Sequence, residues 1–398
     1  MALTRRVLTK SYKYIFSLYL ALGPVYWMPW VGSRPFEAVK TAAYLIIVGV
    51  PVAAALKSKR LSFPGGGLAL FALGGYLLSA FPGMLLGAPE ESVYKLQNTL
   101  QIILFVHACG YVIGQSGVER IVSRAVKLFA FFCGASLLFI AVVPNYTNPF
   151  NEALTVASTG LGGARTGWSP AVALYLPWIY TFSMSTAVGV GVMVLILLGN
   201  QLAVGSRTGL LSTAVPFVAY ALRQKTAKSY LFLFSCIALA ITLALNFSDE
   251  LRLSQGGVGS LEDLNELSTG RVDQYVASIK YILDEPIFGR GFGEVVHEGR
   301  RLRTHNAVLM AATEGGLIHA AFVACILVLP VIRGYRKLRV GSPEVMAAWL
   351  TVLSGVVASM FEPGFMFGSF NKACFWWLCF SLVVSTWGSQ NARMRNSH

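Results

Sequence analysis

The sequence predicts an all-α, polytopic membrane protein with both termini on the inner side and one large outer loop. Three observations carry this. Hydrophobic residues make up 55% of the 398 and charged residues only 13%, with a mean hydropathy of +0.61, a composition at odds with a water-soluble globule. Apolar runs recur along the chain at lengths that cross a bilayer. The Lys and Arg residues behind the net charge of +14 fall between those runs, so basicity here speaks of orientation and not of a nucleic-acid partner.

A crossing helix takes about 20 mostly apolar residues, with roughly 17 to 25 as the range. That rule marks about 12 spans, near 14–30, 40–56, 66–81, 98–113, 126–143, 168–182, 187–204, 206–222, 230–245, 306–331, 345–361 and 372–387. The first follows Arg5, Arg6, Lys10 and Lys13, as a signal peptide would. No small-residue cleavage site follows it, so it reads as a retained helix. The chain divides into helices one to five over 1–143, an outer loop at 144–167, helices six to nine over 168–245, a large periplasmic loop at 246–304, and helices ten to twelve with a cytoplasmic tail over 305–398.

The stretch 168–204 is long for one helix and short for two, and its proposed inner turn at 183–186 carries no positive charge. The positive-inside rule decides the count. With two helices there, the clusters Lys57/Lys59/Arg60, Arg120/Arg124/Lys127, Arg223/Lys225/Lys228, Arg333/Arg336/Lys337/Arg339 and Arg393/Arg395 all lie inside, accompanied only by the acids Glu119 and Glu344. Merging them would carry three of those clusters outside. The six cysteines, Cys109, Cys133, Cys236, Cys325, Cys374 and Cys379, all sit in apolar runs and read as small buried residues, not as a disulfide framework or a zinc site.

Within the large loop, SQGGVGS at 254–260 reads as a flexible linker. Beyond it Val272, Tyr275, Val276, Ile279, Ile282 and Leu283 recur at helical spacing, with Thr269 as N-cap and Pro286 as a stop. The expectation is an amphipathic helix on the outer surface that holds Arg271 at its start.

His305 immediately precedes the tenth span, where the helix dipole disfavours added positive charge. A histidine kept neutral there could accept a proton from a sugar hydroxyl; the plainer reading is a polar residue marking a span end. Three arginines are expected on the same face: Arg165 before a span, Arg207 in the short turn Gly205-Ser206-Arg207-Thr208-Gly209, and Arg271 after Thr269-Gly270. A guanidinium presents a rigid fork of donors suited to phosphate oxygens, and three of them suit a diphosphate. Any one alone reads more readily as a solvated or headgroup-bound arginine. Phe288-Gly289-Arg290-Gly291-Phe292-Gly293 follows a helix and a proline, not a strand, and is no dinucleotide fingerprint. His297-Glu298 lacks the second histidine of a zinc-peptidase motif, no Asp-x-Asp occurs, and Glu262, Asp263 and Glu266 read as a solvated acidic face. Neither a metal nor a cofactor is expected. Arg300, Arg301 and Arg303 form a basic cluster suited to anionic headgroups or an acidic glycan.

Taken in order, Gly-Ser-Arg-Thr-Gly at 205–209, Thr-Gly-Arg at 269–271, Glu-Pro-Ile-Phe-Gly-Arg-Gly at 285–291, His-Asn at 305–306 and Glu-Gly-Gly-Leu at 314–317 resemble the domain shared by O-antigen ligases and polymerases, over roughly 185–332. The resemblance implies a metal-independent membrane glycosyltransferase of the broad C-type fold. Such an enzyme takes a glycan from an undecaprenyl diphosphate carrier on the periplasmic side of the bacterial inner membrane and passes it, with inversion, to an acceptor hydroxyl. It implies that Arg207 and Arg271 hold the diphosphate, that His305 activates the acceptor or helps polarise the diphosphate, and that Arg165, Asn306, Arg290, Arg303 and Ser206 bind substrate. The acceptor is lipid A-core for a ligase, or a second carrier-linked glycan for a polymerase. Gly316 fits the ligase spacing, whereas His319 stands where ligases have a small residue or tyrosine. We expect the ligase.

A different class, a lipid-linked glycan flippase or secondary transporter, would place ionisable groups well inside the spans. Here His107 and His319 are the groups read there, with Lys40 and Lys372 snorkelling near span ends. The polar chemistry concentrates outside, which favours the enzyme.

Overall fold

The computed structural model describes residues 2–26, 34–59, 63–65, 67–114, 118–142, 160–162, 165–181, 187–204, 206–225, 270–293, 295–297, 300–301, 304–338, 342–368 and 370–385. The expected ninth span, the SQGGVGS linker, Thr269, Arg303 and most of the large loop lie outside them.

The described chain is helical: α1 (Ala2–Leu22), α2 (Arg34–Ser58), α3 (Gly67–Leu86), α4 (Pro89–Ile113), α5 (Val118–Val142), α6 (Arg165–Thr181), α7 (Ala187–Val204), α8 (Arg207–Gln224), α9 (Arg271–Asp284), α10 (Ala307–Lys337), α11 (Pro343–Ser359), α12 (Gly364–Phe367) and α13 (Phe370–Val384). One small departure from all-α is a pair of two-residue strands, Val296–His297 against Arg300–Arg301.

Among the described residues, α2, α3, α4, α5 and α10 are long and apolar enough to cross a membrane. Helices α6, α11 and α13 are shorter, at 17, 17 and 15 residues. They are the interior of the bundle. Nearly every side chain of α13 is buried, the pattern of a helix apolar on all sides and surrounded by others. Being covered by protein, their ends can turn into irregular backbone that lipid would not tolerate.

Phe129 of α5, Tyr175 of α6 and Phe375 of α13 stack with ring centres 4.0 Å apart at each step. The Tyr175 hydroxyl donates to the Leu20 carbonyl at 2.7 Å. Buried amides tie α6 to α7: Asn200 accepts from the Trp168 indole and donates to the Cys133 carbonyl, and Gln201 donates to the Ser169 carbonyl. The stretch 168–204 thus holds two helices packed on each other.

Some local readings differ. Helix α1 starts well before the expected 14–30, because the basic stretch Arg5–Lys13 is itself helical. Lys40 does not snorkel: it is 4% exposed, its ammonium donating to the Val25 carbonyl at 2.9 Å beside Glu37. The described cysteines are unpaired, as their apolar settings suggest.

Helix α10 is broken at Gly316, whose φ of 81° and ψ of 176° are not helical. The break is filled from outside. Leu317 N–H donates to the Pro286 carbonyl, while Arg290 and Gly291 N–H donate to the carbonyls of Thr313 and Glu314. Two motifs far apart in sequence, 285–291 and 314–317, are therefore stitched together, satisfying backbone groups that the break would orphan.

Candidate functional site

The sequence around the site explains how its parts are held. Asn306 caps α10: its side-chain carbonyl accepts from Val308 and Leu309 N–H at 3.0 and 3.1 Å, the ordinary work of a capping amide. Its amide nitrogen turns towards the Met360 sulfur. His305, just before the cap, is thereby fixed at the helix entrance.

Helix α9 comes up beside it. Its amphipathic pattern is as expected, but its cap is Gly270 at φ 77° with no side-chain bond, in place of Thr269, because only a residue free of a Cβ adopts that backbone cheaply. The Tyr275 hydroxyl donates to the His305 backbone carbonyl at 2.9 Å, and the Ser278 and Thr304 hydroxyls bond each other. Burial pushes the Tyr275 phenol above its ordinary range, outweighing Arg271 nearby, so the donor stays protonated.

These two elements meet a third. Glu362, in the turn Phe361-Glu362-Pro363 after α11, places one carboxylate oxygen 3.4 Å from the Arg271 guanidinium and the other 3.7 Å from His305 Nδ1. The group is half sheltered, with exposures of 21% for Arg271, 29% for His305 and 12% for Glu362. His305 Nδ1 also lies 3.1 Å from the Phe361 carbonyl. A carbonyl only accepts, so Nδ1 carries the proton in that bond and the lone pair of the neutral ring is on Nε2. Glu362 adds a negative charge beside the ring.

Arg165 and Arg207 arrive by helix packing. Thr351 of α11 donates to the Leu174 carbonyl of α6, and Ser354 to the Ser212 carbonyl of α8. Arg165 and Arg207 are the first residues of those two helices, and Gly167, two positions after Arg165, lies against Lys372. Lys372, at the start of α13, joins them: its ammonium lies 2.7 Å from where a Cβ on Gly167 would stand, and it is within electrostatic range of Glu362. Sequence reading took it only as a snorkelling lysine.

The remaining expected residues are accounted for separately. Ser206 caps α8, accepting from Gly209 N–H at 3.3 Å, and Gly209 itself has no room for a side chain against Ser169 and Gln201. Arg290 pairs with Asp284 at 3.1 Å and lies over the Tyr281 ring. His319 is fully buried, stacked on Tyr76 and bonded to Ser79 at 3.0 Å. Among the described residues no group of three or more His, Cys, Asp or Glu could hold a metal ion. Glu362 was missed because nothing repeats or flanks it. The available signal was an acid closing an apolar run immediately before Pro-Gly.

Residues 191–324 match the family described as O-antigen ligase. Over that stretch the chain is similar to the O-antigen ligase family. The matched residues run from α7 into α10 and include Arg207, Arg271 and His305, while Arg165 precedes them and Glu362 and Lys372 follow them. Curated protein sequences give no match.

Proposed function

We propose that this is a metal-independent, inverting glycosyltransferase of the bacterial inner membrane, which moves a glycan from undecaprenyl diphosphate to a hydroxyl of lipid A-core on the periplasmic side. The observation that carries it is the contact of Arg271 and His305 through the single carboxylate of Glu362, inside and beside the stretch similar to the O-antigen ligase family.

Neutral His305, its Nδ1 proton held by the Phe361 carbonyl, takes the acceptor hydroxyl proton on Nε2. The acceptor oxygen forms a bond to the anomeric carbon from the face opposite the diphosphate. The old carbon–oxygen bond breaks with its electron pair left on the diphosphate. Arg271, using donors not engaged by Glu362, and Arg207 offset the charge that grows there, with Arg165 assisting. Glu362 balances the imidazolium formed on His305 and holds Arg271 beside it.

Purified protein given the carrier-linked repeat with and without lipid A-core tests this by mass spectrometry of the products. Transfer to core alone is the expected result. Extension of the carrier-linked chain without core would make it a polymerase, and no transfer under either condition would reject the reaction.

A further inference from the structure

The end of α4 nearest the site faces α10 across a shallow cleft that the chemistry above leaves unused. Its walls include Glu91, Tyr94 and Lys95 of α4, Phe292 of the glycine-rich turn, Glu314 of α10 and Phe367 of α12, and its interior is about 70 Å³ below an open mouth. Lys95 is fixed over two rings, with its ammonium 5.0 Å from the centre of Phe292 and 5.5 Å from that of Tyr76, a placement that the ring quadrupoles favour. Tyr94 ties α4 to the Gly368 carbonyl beyond α12. Glu314 is only 5% exposed, on the last turn before the Gly316 break. A charged group within a helix of a membrane bundle marks a polar function by default.

The lining selects its ligand. Two carboxylates and one ammonium repel an anion on balance, but together accept from and donate to hydroxyl groups. The Tyr94 ring beside them is half exposed and suits the C–H face of a sugar ring. Position narrows the choice further. Ala307 and Pro363 also line the cleft, and they are the chain neighbours of Asn306 and Glu362. The cleft therefore adjoins the His305–Glu362 pair from the α3 and α4 side of α10, whereas the helices that begin at Arg165 and Arg207 pack on α11 instead.

We infer that the cleft is the acceptor subsite and takes a neutral pyranose; this rests on the transfer reaction proposed above. Full-length wild type, Lys95→Met and Glu91→Gln in nanodiscs are assayed with the carrier-linked glycan as donor and lipid A-core as acceptor, or with the carrier-linked repeat as acceptor if the product analysis shows chain extension. The expected result is an acceptor KM raised about tenfold in the variants, a loss of ground-state binding, with the donor KM as in wild type. A rise confined to the donor KM, or no change in either, overturns the inference. Glu91→Gln preserves shape at a half-exposed position and guards against misfolding. A second arm does not depend on transfer. Saturation-transfer NMR with methyl β-glucopyranoside and methyl β-glucuronoside should show ring protons of the neutral sugar saturated by wild type and not by Lys95→Met. Saturation without any transfer would reject the reaction while supporting the sugar site. Transfer without saturation, or preference for the glucuronoside, would reject the subsite.

Discussion

Glu362 touches both a guanidinium and an imidazole, and its two contacts separate the roles of its neighbours. His305→Ala should lower transfer about 10²- to 10⁴-fold, the range for removing a general base, with the membrane level of the protein unchanged. Glu362→Gln should cost less, because the Phe361 carbonyl still orients the ring. Wild-type rates in Glu362→Gln, or equal losses in both, would reverse the assignment. Arg271→Lys should fail to restore transfer, since an ammonium cannot reproduce a fork of donors held by one carboxylate. Of this group the sequence offers His305 and Arg271, because residue type and span position are local. Glu362 was invisible by that logic: a lone acid before Pro-Gly gains meaning only when α11 is packed.

The break in α10 belongs to the scale of elements. A Cβ at Gly316 would stand 1.9 Å from the Ile287 carbonyl oxygen, at a φ of 81°. Such strain costs on the order of 1–3 kcal/mol. Gly316→Ala should therefore lower the melting temperature of the purified protein, whereas Gly49→Ala, where nothing lies within 4 Å of the new atom, should not. Equal melting of the two would show that the stitched loop does not depend on this glycine. The motifs at 285–291 and 314–317 are legible as motifs. Their bonding to each other is not, because each reads alone as a turn or a helix end. The amphipathic helix shows the same division: its periodicity predicts it, while its docking through Tyr275 and Ser278 depends on partners at 304–305.

Across the whole molecule, the charge pattern predicts the outer side for Arg165, Arg207, Arg271 and His305, and we propose that face as the one where transfer occurs. A cysteine introduced near Ser260 should react with an impermeant thiol reagent added from outside. Labelling only after the inner face is exposed would invert the assignment and make 168–204 a single crossing. The packing offers a reason for two helices there: α6 lies between α7, α8 and α11 and is buried nearly throughout its described side chains.

Hydropathy and charge by themselves determined the membrane class, the helical pattern, the expected sidedness and the short list of arginines and histidine, because each depends on residues close together in the chain. Only the tertiary structure decided which of them meet. Arg271 and Glu362 are 91 positions apart, and His305 and Phe361 are 56 apart. Whether such pairs touch is set by the register in which helices pack, and that register is a property of whole helix surfaces that no local pattern encodes. The same reason turned Lys372 from a span-end lysine into a neighbour of Glu362, and Glu314 from the first residue of a motif into the wall of a cleft.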